Sequence, residues 1–324
     1  MKSLTTCYTF HGLRINISGD AVVSASIHSR LKQFATNGHE ASDLTFEFYA
    51  VPDGKRHSVD QPTGRVRPVY EFPCGEVLYV AAQDQLYLNY EDRVRVLCDL
   101  VRGHAQVSLL QPEVDNLWLA SHLMFTVPLI ESLKRHGRYS LHAAGLCIDG
   151  QGLLVAGASG SGKSTLTVAL LRAGFGFLGD DMIFLSPGQD GLRALAFPDE
   201  IDLTDETARL FPELHYLLRS PKNHGWRKRQ VRAEEVYEVN TIWECKPAVI
   251  VFPSIANAEK SVLKPIDRGE ALLELVPNIL LTEVRSSQAH LNVLGQLVKE
   301  SECYRLEAGR DFDALPILLR DLMA

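Results

Sequence analysis

Apolar residues follow two rhythms along this chain. In the first third they alternate with polar ones. Residues 8–17 and 44–49 read at period two, the second run stopping at Pro52-Asp53-Gly54, and shorter runs recur at 69–72, 76–81, 85–89 and 93–97. Such alternation predicts strands with one buried face. Gln83-Asp84 and Tyr90-Glu91-Asp92, between the later runs, predict tight turns. Residues 1–112 are therefore expected to form a β-rich N-terminal domain, an antiparallel meander or sandwich.

The rhythm then becomes helical. Leu117, Leu119, Ala120, Leu123, Met124, Val127, Leu129, Ile130 and Leu133 predict a helix over 114–136, with Pro128 kinking or dividing it. Lys134, Arg135 and His136 suit its last turn and Gly137 its cap. Residues 113–137 are read as a bridging helix. Beyond them, short continuous apolar runs alternate with helical stretches. Strands are predicted at 146–148 and 152–156, on either side of the hairpin pair Asp149-Gly150, at 248–252, stopped by Pro253, and near 304–306. Helices are predicted at 269–280, 282–300 and 312–322. This is the pattern of an α/β domain, a central sheet flanked by helices, over 138–324.

One stretch of that domain carries recognisable chemistry. Gly157-Ala158-Ser159-Gly160-Ser161-Gly162-Lys163-Ser164-Thr165 fits the phosphate-loop pattern G-x-x-x-x-G-K-[ST] without substitution. An apolar run precedes it, and a helical run ended by Gly174 follows, which is the setting the motif requires. Glycines let successive N–H groups converge on one anion, and the helix start adds its positive dipole end. Lys163 can reach the outer phosphates of a nucleoside triphosphate, and Ser164 is placed to ligate Mg²⁺. Downstream, the apolar run beginning Phe175-Gly176-Phe177 ends in Gly179-Asp180-Asp181. Two carboxylates at the end of a strand can hold a metal ion or accept a proton from a hydroxyl.

Composition narrows the setting. The net charge of −7 argues against nonspecific nucleic-acid binding. Six scattered cysteines without a C-x-x-C pair suit reduced thiols better than a disulfide framework or zinc site. His11, His28, His39, His57 and His104 share no ligand spacing. No apolar run approaches the ~20 residues that span a bilayer, and the N-terminal residues lack the apolar core of a signal peptide. A cytoplasmic protein is expected.

Three blocks together resemble the catalytic domain of HPr kinase/phosphorylase and its relatives: Leu141-His142-Ala143-Ala144, the glycine-rich loop, and Gly179-Asp180-Asp181. His142 lies fifteen residues before Gly157 and Asp180 twenty-three after it. The segment from Arg268 to Pro277 resembles a late helix of HPr-kinase-like proteins, which include the peptide-modifying kinases of lasso-peptide pathways. The resemblance implies a P-loop kinase-like domain over 138–324. It implies Asp180 as general base, Lys163 stabilising the transferred phosphoryl group, His142 beside the phosphates, and Ser164, Asp181 and Glu200 as metal-side residues. Glu200-Ile201 is followed by Asp202-Leu203, where true HPr kinases carry a Glu-Ile-Arg-Gly signature. Neither phosphorylase activity nor HPr as acceptor is therefore carried over, and the front part resembles that of the lasso-type relatives.

The leading expectation is a Mg²⁺- and ATP-dependent (or GTP-dependent) kinase acting on a hydroxyl, serine foremost, of a protein or peptide. A small-molecule kinase and a non-enzymatic nucleotide sensor are the alternatives. The basic segment 221–232 is read as either a solvated loop or a lid whose Lys228 or Arg229 meets phosphate or an acidic substrate. The expected partners are the nucleotide and the acceptor, with no nucleic acid and no membrane; a homo-oligomer is left open.

Overall fold

The computed structural model describes residues 4–37, 41–52, 55–72, 75–110, 114–219 and 228–323. Asp53-Gly54 of the expected turn, His39, Cys74 and residues 221–227 of the basic segment lie outside the described residues. The chain divides into two compact units, residues 1–136 with 281–287, and residues 137–280 with 288–324.

The first unit begins with two strands, β1 (Leu4–Phe10) and β2 (Leu13–Gly19). The alternating run at 8–17 is not one strand. It folds back at His11-Gly12, whose φ values of 45° and 85° make the left-handed pair that joins twisted antiparallel strands. Then come helix α1 (Ala21–Leu31), capped by the Asp20 carboxylate, and strands β3 (Ala35–Thr36), β4 (Leu44–Val51), β5 (Val66–Phe72), β6 (Gly75–Val80), β7 (Gln85–Tyr90), β8 (Val94–Asp99) and β9 (His104–Leu110). Strands β5 to β9 are the expected antiparallel meander. Strand β4, however, pairs parallel with both β2 and β9, so the nine strands form one mixed sheet rather than a sandwich.

Helices α2 (Val114–Ser121) and α3 (Leu123–Arg135) break at His122, where φ is −108° and ψ is −95°, while Pro128 sits inside α3. Both belong to the first unit. Phe125 packs edge-on against Phe46 of β4 with ring centroids 5.0 Å apart, which ties the helices to the first unit's core. Lys134 Nζ lies 2.5 Å from Glu131 Oε1 with both side chains fully buried, and Thr282 Oγ1 donates to Glu131 Oε2 at 2.6 Å.

The second unit is a mixed α/β layer structure. In chain order it holds β10 (Tyr139–Leu141), β11 (Ala143–Ile148), β12 (Gln151–Ala156), α4 (Lys163–Arg172), β13 (Gly176–Gly179), β14 (Ile183–Gly188), β15 (Gly191–Leu195), β16 (Ile201–Leu203), α5 (Asp205–Leu210), β17 (Arg229–Val231) and α6 (Ala233–Val236). The remainder is β18 (Glu244–Ile255), β19 (Val262–Pro265), α7 (Arg268–Leu275), α8 (Val284–Glu300, of which 284–287 group with the first unit), β20 (Glu302–Ala308) and α9 (Leu315–Asp321). The sheet runs β10-β14-β15-β18-β12-β11-β13, with β20 also paired to β18 and β19 to β20. Strand β18 continues through Pro253 rather than stopping there, and pairs parallel with β12 on one side and β20 on the other.

Strand β12 is buried on both faces, as its unbroken apolar run requires. Leu153 and Val155 pack into the core that holds Leu170 of α4 and Leu319 of α9. Leu154 and Ala156 face the core that holds Leu275 of α7 and Leu294 of α8. Burying each leucine side chain contributes about 1.5–3 kcal/mol, so both helical layers pin the strand that leads into the glycine-rich loop.

Candidate functional site

Strand register brings the three sequence blocks to one end of this sheet. Ala143 of β11 is paired with Ala156 of β12, which sets His142 level with Gly157. Gly145 of β11 is paired with Gly179 of β13, which brings Asp180 to the same end. On the other side of β12, strand β18 runs past Val155 as far as Ile255, where it is paired with Ala308 of β20. The carboxyl ends of β12, β13, β18 and β20 thus surround the loop, the usual place for a ligand in such sheets.

The loop's curl depends on its glycines. Gly157, Gly160 and Gly162 have φ values of 150°, 81° and 103°, conformations that side chains with a Cβ rarely adopt. Gly162 then caps α4, whose first free N–H groups open toward the sheet end. Lys163 is buried, and its Nζ donates to the carbonyls of Gly157 at 2.8 Å and Ala158 at 3.3 Å. Burial lowers its pKa, opposed by Asp181 and Asp180.

Asp180 is joined directly to the loop. Ser164 Oγ donates to Asp180 Oδ2 at 2.9 Å, while the buried Oδ1 has no hydrogen-bond partner among the described residues. Gly179 makes this turn possible. A Cβ there would lie 2.5 Å from the carbonyl oxygen of Met182 and 2.7 Å from that of Phe197. Burial, then the neighbouring charge of Asp181, raise the Asp180 pKa to about 7, the range in which a general base works at neutral pH.

A cavity of about 300 Å³ opens over the loop. His142, Lys163, Ser164, Asp181, Asp202 and Lys228 line its charged end. His142 stands open to the cavity, and its backbone N–H donates to the carbonyl of Asn278 at 2.9 Å. The protein around the imidazole withdraws water from its charged form and lowers its pKa; Asp181 opposes this and Lys163 adds to it.

Asp202 is a site residue that no sequence motif marks. The structure brings it to the cavity from β16, with its Oδ1 buried and without a hydrogen-bond partner among the described residues. Burial and the charge of Asp181 raise its pKa to about 6. The alternation of Ile201, Asp202 and Leu203, with both apolar neighbours buried, was the available signal: only Asp202 faces out of the core. Glu200, the residue expected on the metal side, is not among those lining the cavity and lies 3.5 Å from Arg232. Arg229 is likewise engaged away from the cavity, donating to Asp205 at 2.8 Å, whereas Lys228 lines it.

These donors fit a hard divalent cation. Ser164, Asp180, Asp181 and Asp202 offer only oxygen, and two buried carboxylate oxygens lack a partner. Among the described residues no three His, Cys, Asp or Glu side chains form a ready metal cage.

No protein-family model matches the chain, and no curated protein matches it. Among solved structures the chain is similar to the HPr(Ser) kinase/phosphatase from Coxiella burnetii. The match has 18% sequence identity and a TM-score of 0.30, and covers 57% of this chain and 93% of that one. No helix among the described residues is long and apolar enough to cross a membrane.

Proposed function

We propose that this protein is a Mg²⁺-dependent kinase that transfers the γ-phosphoryl group of ATP to a hydroxyl, serine of a protein or peptide foremost. The observation that carries this reading is the 2.9 Å hydrogen bond from Ser164, which lines the cavity, to Asp180, a buried carboxylate behind it. A loop that only stored a nucleotide would not need a desolvated acid there.

In this reading the backbone N–H groups of the loop and the start of α4 hold the β- and γ-phosphates. Lys163 exchanges its two loop carbonyls for phosphate oxygens. Ser164 and Asp181 would hold Mg²⁺ from the protein side, with Asp202 taking the role expected of Glu200. The ion would supply neutralisation of phosphate charge. Asp180 takes the acceptor's hydroxyl proton through Oδ1 as the new O–P bond forms and the bond to the β-phosphate oxygen breaks, releasing ADP. Neutral His142 hydrogen-bonds a phosphate oxygen, and Lys228 offsets charge at the open side.

The test is label transfer from γ-labelled ATP to serine-containing acceptor proteins and peptides, with and without EDTA. Transfer is expected with Mg²⁺ and lost with EDTA. Asp180→Asn should slow it by about 10²–10⁴-fold while ATP still binds. Tight ATP binding without transfer to any acceptor, or an undiminished Asp180→Asn rate, would overturn the proposal.

A further inference from the structure

The cavity has a second end that the transfer chemistry leaves unused. Besides the charged groups it is lined by Leu210, Ile255, Phe312 and Leu315, and by the exposed Glu206. Two of these apolar side chains are not core residues: Leu210 is 47% exposed and Ile255 is 73% exposed. Large apolar side chains left open at a cavity mouth, and continuous with a polar site, are what a partly apolar ligand covers.

The apolar wall is held at a fixed distance from the glycine-rich loop. Thr165, the last residue of the motif, shares a 2.8 Å hydroxyl–hydroxyl hydrogen bond with Thr207 of α5. Leu210 follows one helical turn later, about 4.5 Å along the axis at 1.5 Å per residue. On the loop's other flank, Ile255 Cγ1 lies 3.5 Å from where a Cβ on Gly162 would stand. Phe312 is backed by Phe211, their ring centroids 5.7 Å apart, and remains half-exposed at the cavity. Ser164 bonds to Asp180 and Thr165 to Thr207, so two successive residues in the first turn of α4 face different parts of the cavity lining.

We infer that this apolar end seats the base of the nucleotide, gripped between Leu210 and Phe312 on one flank and Ile255 on the other. The inference rests on reading the loop as a polyphosphate site. A triphosphate lying over the loop places its γ-phosphate at the acids and projects its nucleoside the other way. Flat heterocycles gain from stacking on aromatic and apolar side chains whatever the pattern on their edges.

Calorimetry on the full chain separates this inference from the reading beneath it, using MgATP and Mg-tripolyphosphate as ligands. Wild type should bind both. Leu210→Ala and Phe312→Ala should each weaken MgATP about tenfold or more and leave tripolyphosphate within about twofold. Lys163→Ala should weaken both ligands. Should Phe312→Ala fail to fold, the exposed positions carry the test through Leu210→Ala and Ile255→Ala. Unchanged ATP binding in these variants, or equal loss of both ligands, would overturn the base site while leaving the polyphosphate site standing. If tripolyphosphate and ATP both fail to bind wild type, the phosphate reading itself falls.

Discussion

Asp180 is kept where its own charge is unfavourable. Its pKa, pushed up to about 7, and that of Asp202, pushed up to about 6, both exceed the unfolded carboxyl value of about 3.9. Between the unfolded and folded values the native state holds more protons than the unfolded chain. The contribution of these two groups to stability therefore falls as pH rises from about 4 to about 7 and levels off above that. Asp180→Asn removes the ionisation and keeps an oxygen to accept from Ser164. In metal- and nucleotide-free protein we expect it to be more stable than wild type by about 1–3 kcal/mol at pH 8, with the gap closing toward pH 4. Thermal melts across that range check it, and a gap that ignores pH refutes the assigned cause. The same residue scale separates Asp202 from Glu200. Asp202→Asn should slow phosphoryl transfer by at least tenfold, while Glu200→Gln, acting on a carboxylate beside Arg232, should change the rate less than about threefold. The reverse ranking would return the metal-side role to Glu200.

At the scale of elements, the site is built where backbones come closer than a side chain allows. Gly179→Ala would drive a Cβ against two backbone carbonyls at 2.5 Å and 2.7 Å, neither of which can swing aside. We expect about 2–4 kcal/mol of destabilisation, read by denaturant unfolding, and loss of transfer as Asp180 shifts. A near-neutral result would show that this turn can relax. Gly162→Ala meets no clash nearer than 3.5 Å, but its φ of 103° is strained for any L side chain. These local demands explain what the sequence shows. The glycine-rich loop, the Asp149-Gly150 hairpin and the helix ended by Gly174 are legible because each is dictated by the conformation of one or two residues. The parallel pairing of β4 with β2 and β9 is not, since nothing within residues 44–51 distinguishes a parallel neighbour from an antiparallel one. Helix α1 is not legible because its apolar residues Val23, Ile27 and Leu31 stand among serines that dilute the period. Asp202 is hidden for a related reason: a three-residue strand is too short for alternation to stand out.

For the whole molecule, the chain's division differs from any single cut along the sequence. Residues 281–287 group with residues 1–136, although they follow the greater part of the second unit in the chain. The contacts responsible join residues far apart: Thr282 with Glu131, 151 positions away, and Glu283 with Arg135, 148 positions away. Periodicity carries no trace of such pairings, which is why a boundary at 138 is the natural reading from sequence alone. The structure makes that boundary costly. Thr282 is 1% exposed, and the Glu131 carboxylate it donates to is fully buried beside Lys134. A fragment comprising residues 138–324 would carry Thr282 and Glu283 without these partners. It should melt well below the full chain and aggregate more readily. Within the full chain, Lys134→Met strips the buried Glu131 of its nearest cation and should cost about 3–5 kcal/mol. Thr282→Val removes a neutral donor and should cost nearer 1–3 kcal/mol. Urea titration of the three proteins tests the account. A fragment with the full chain's midpoint would show that residues 281–287 hold without these partners, and a Lys134→Met variant less damaging than Thr282→Val would refute the weight given to the buried ion pair.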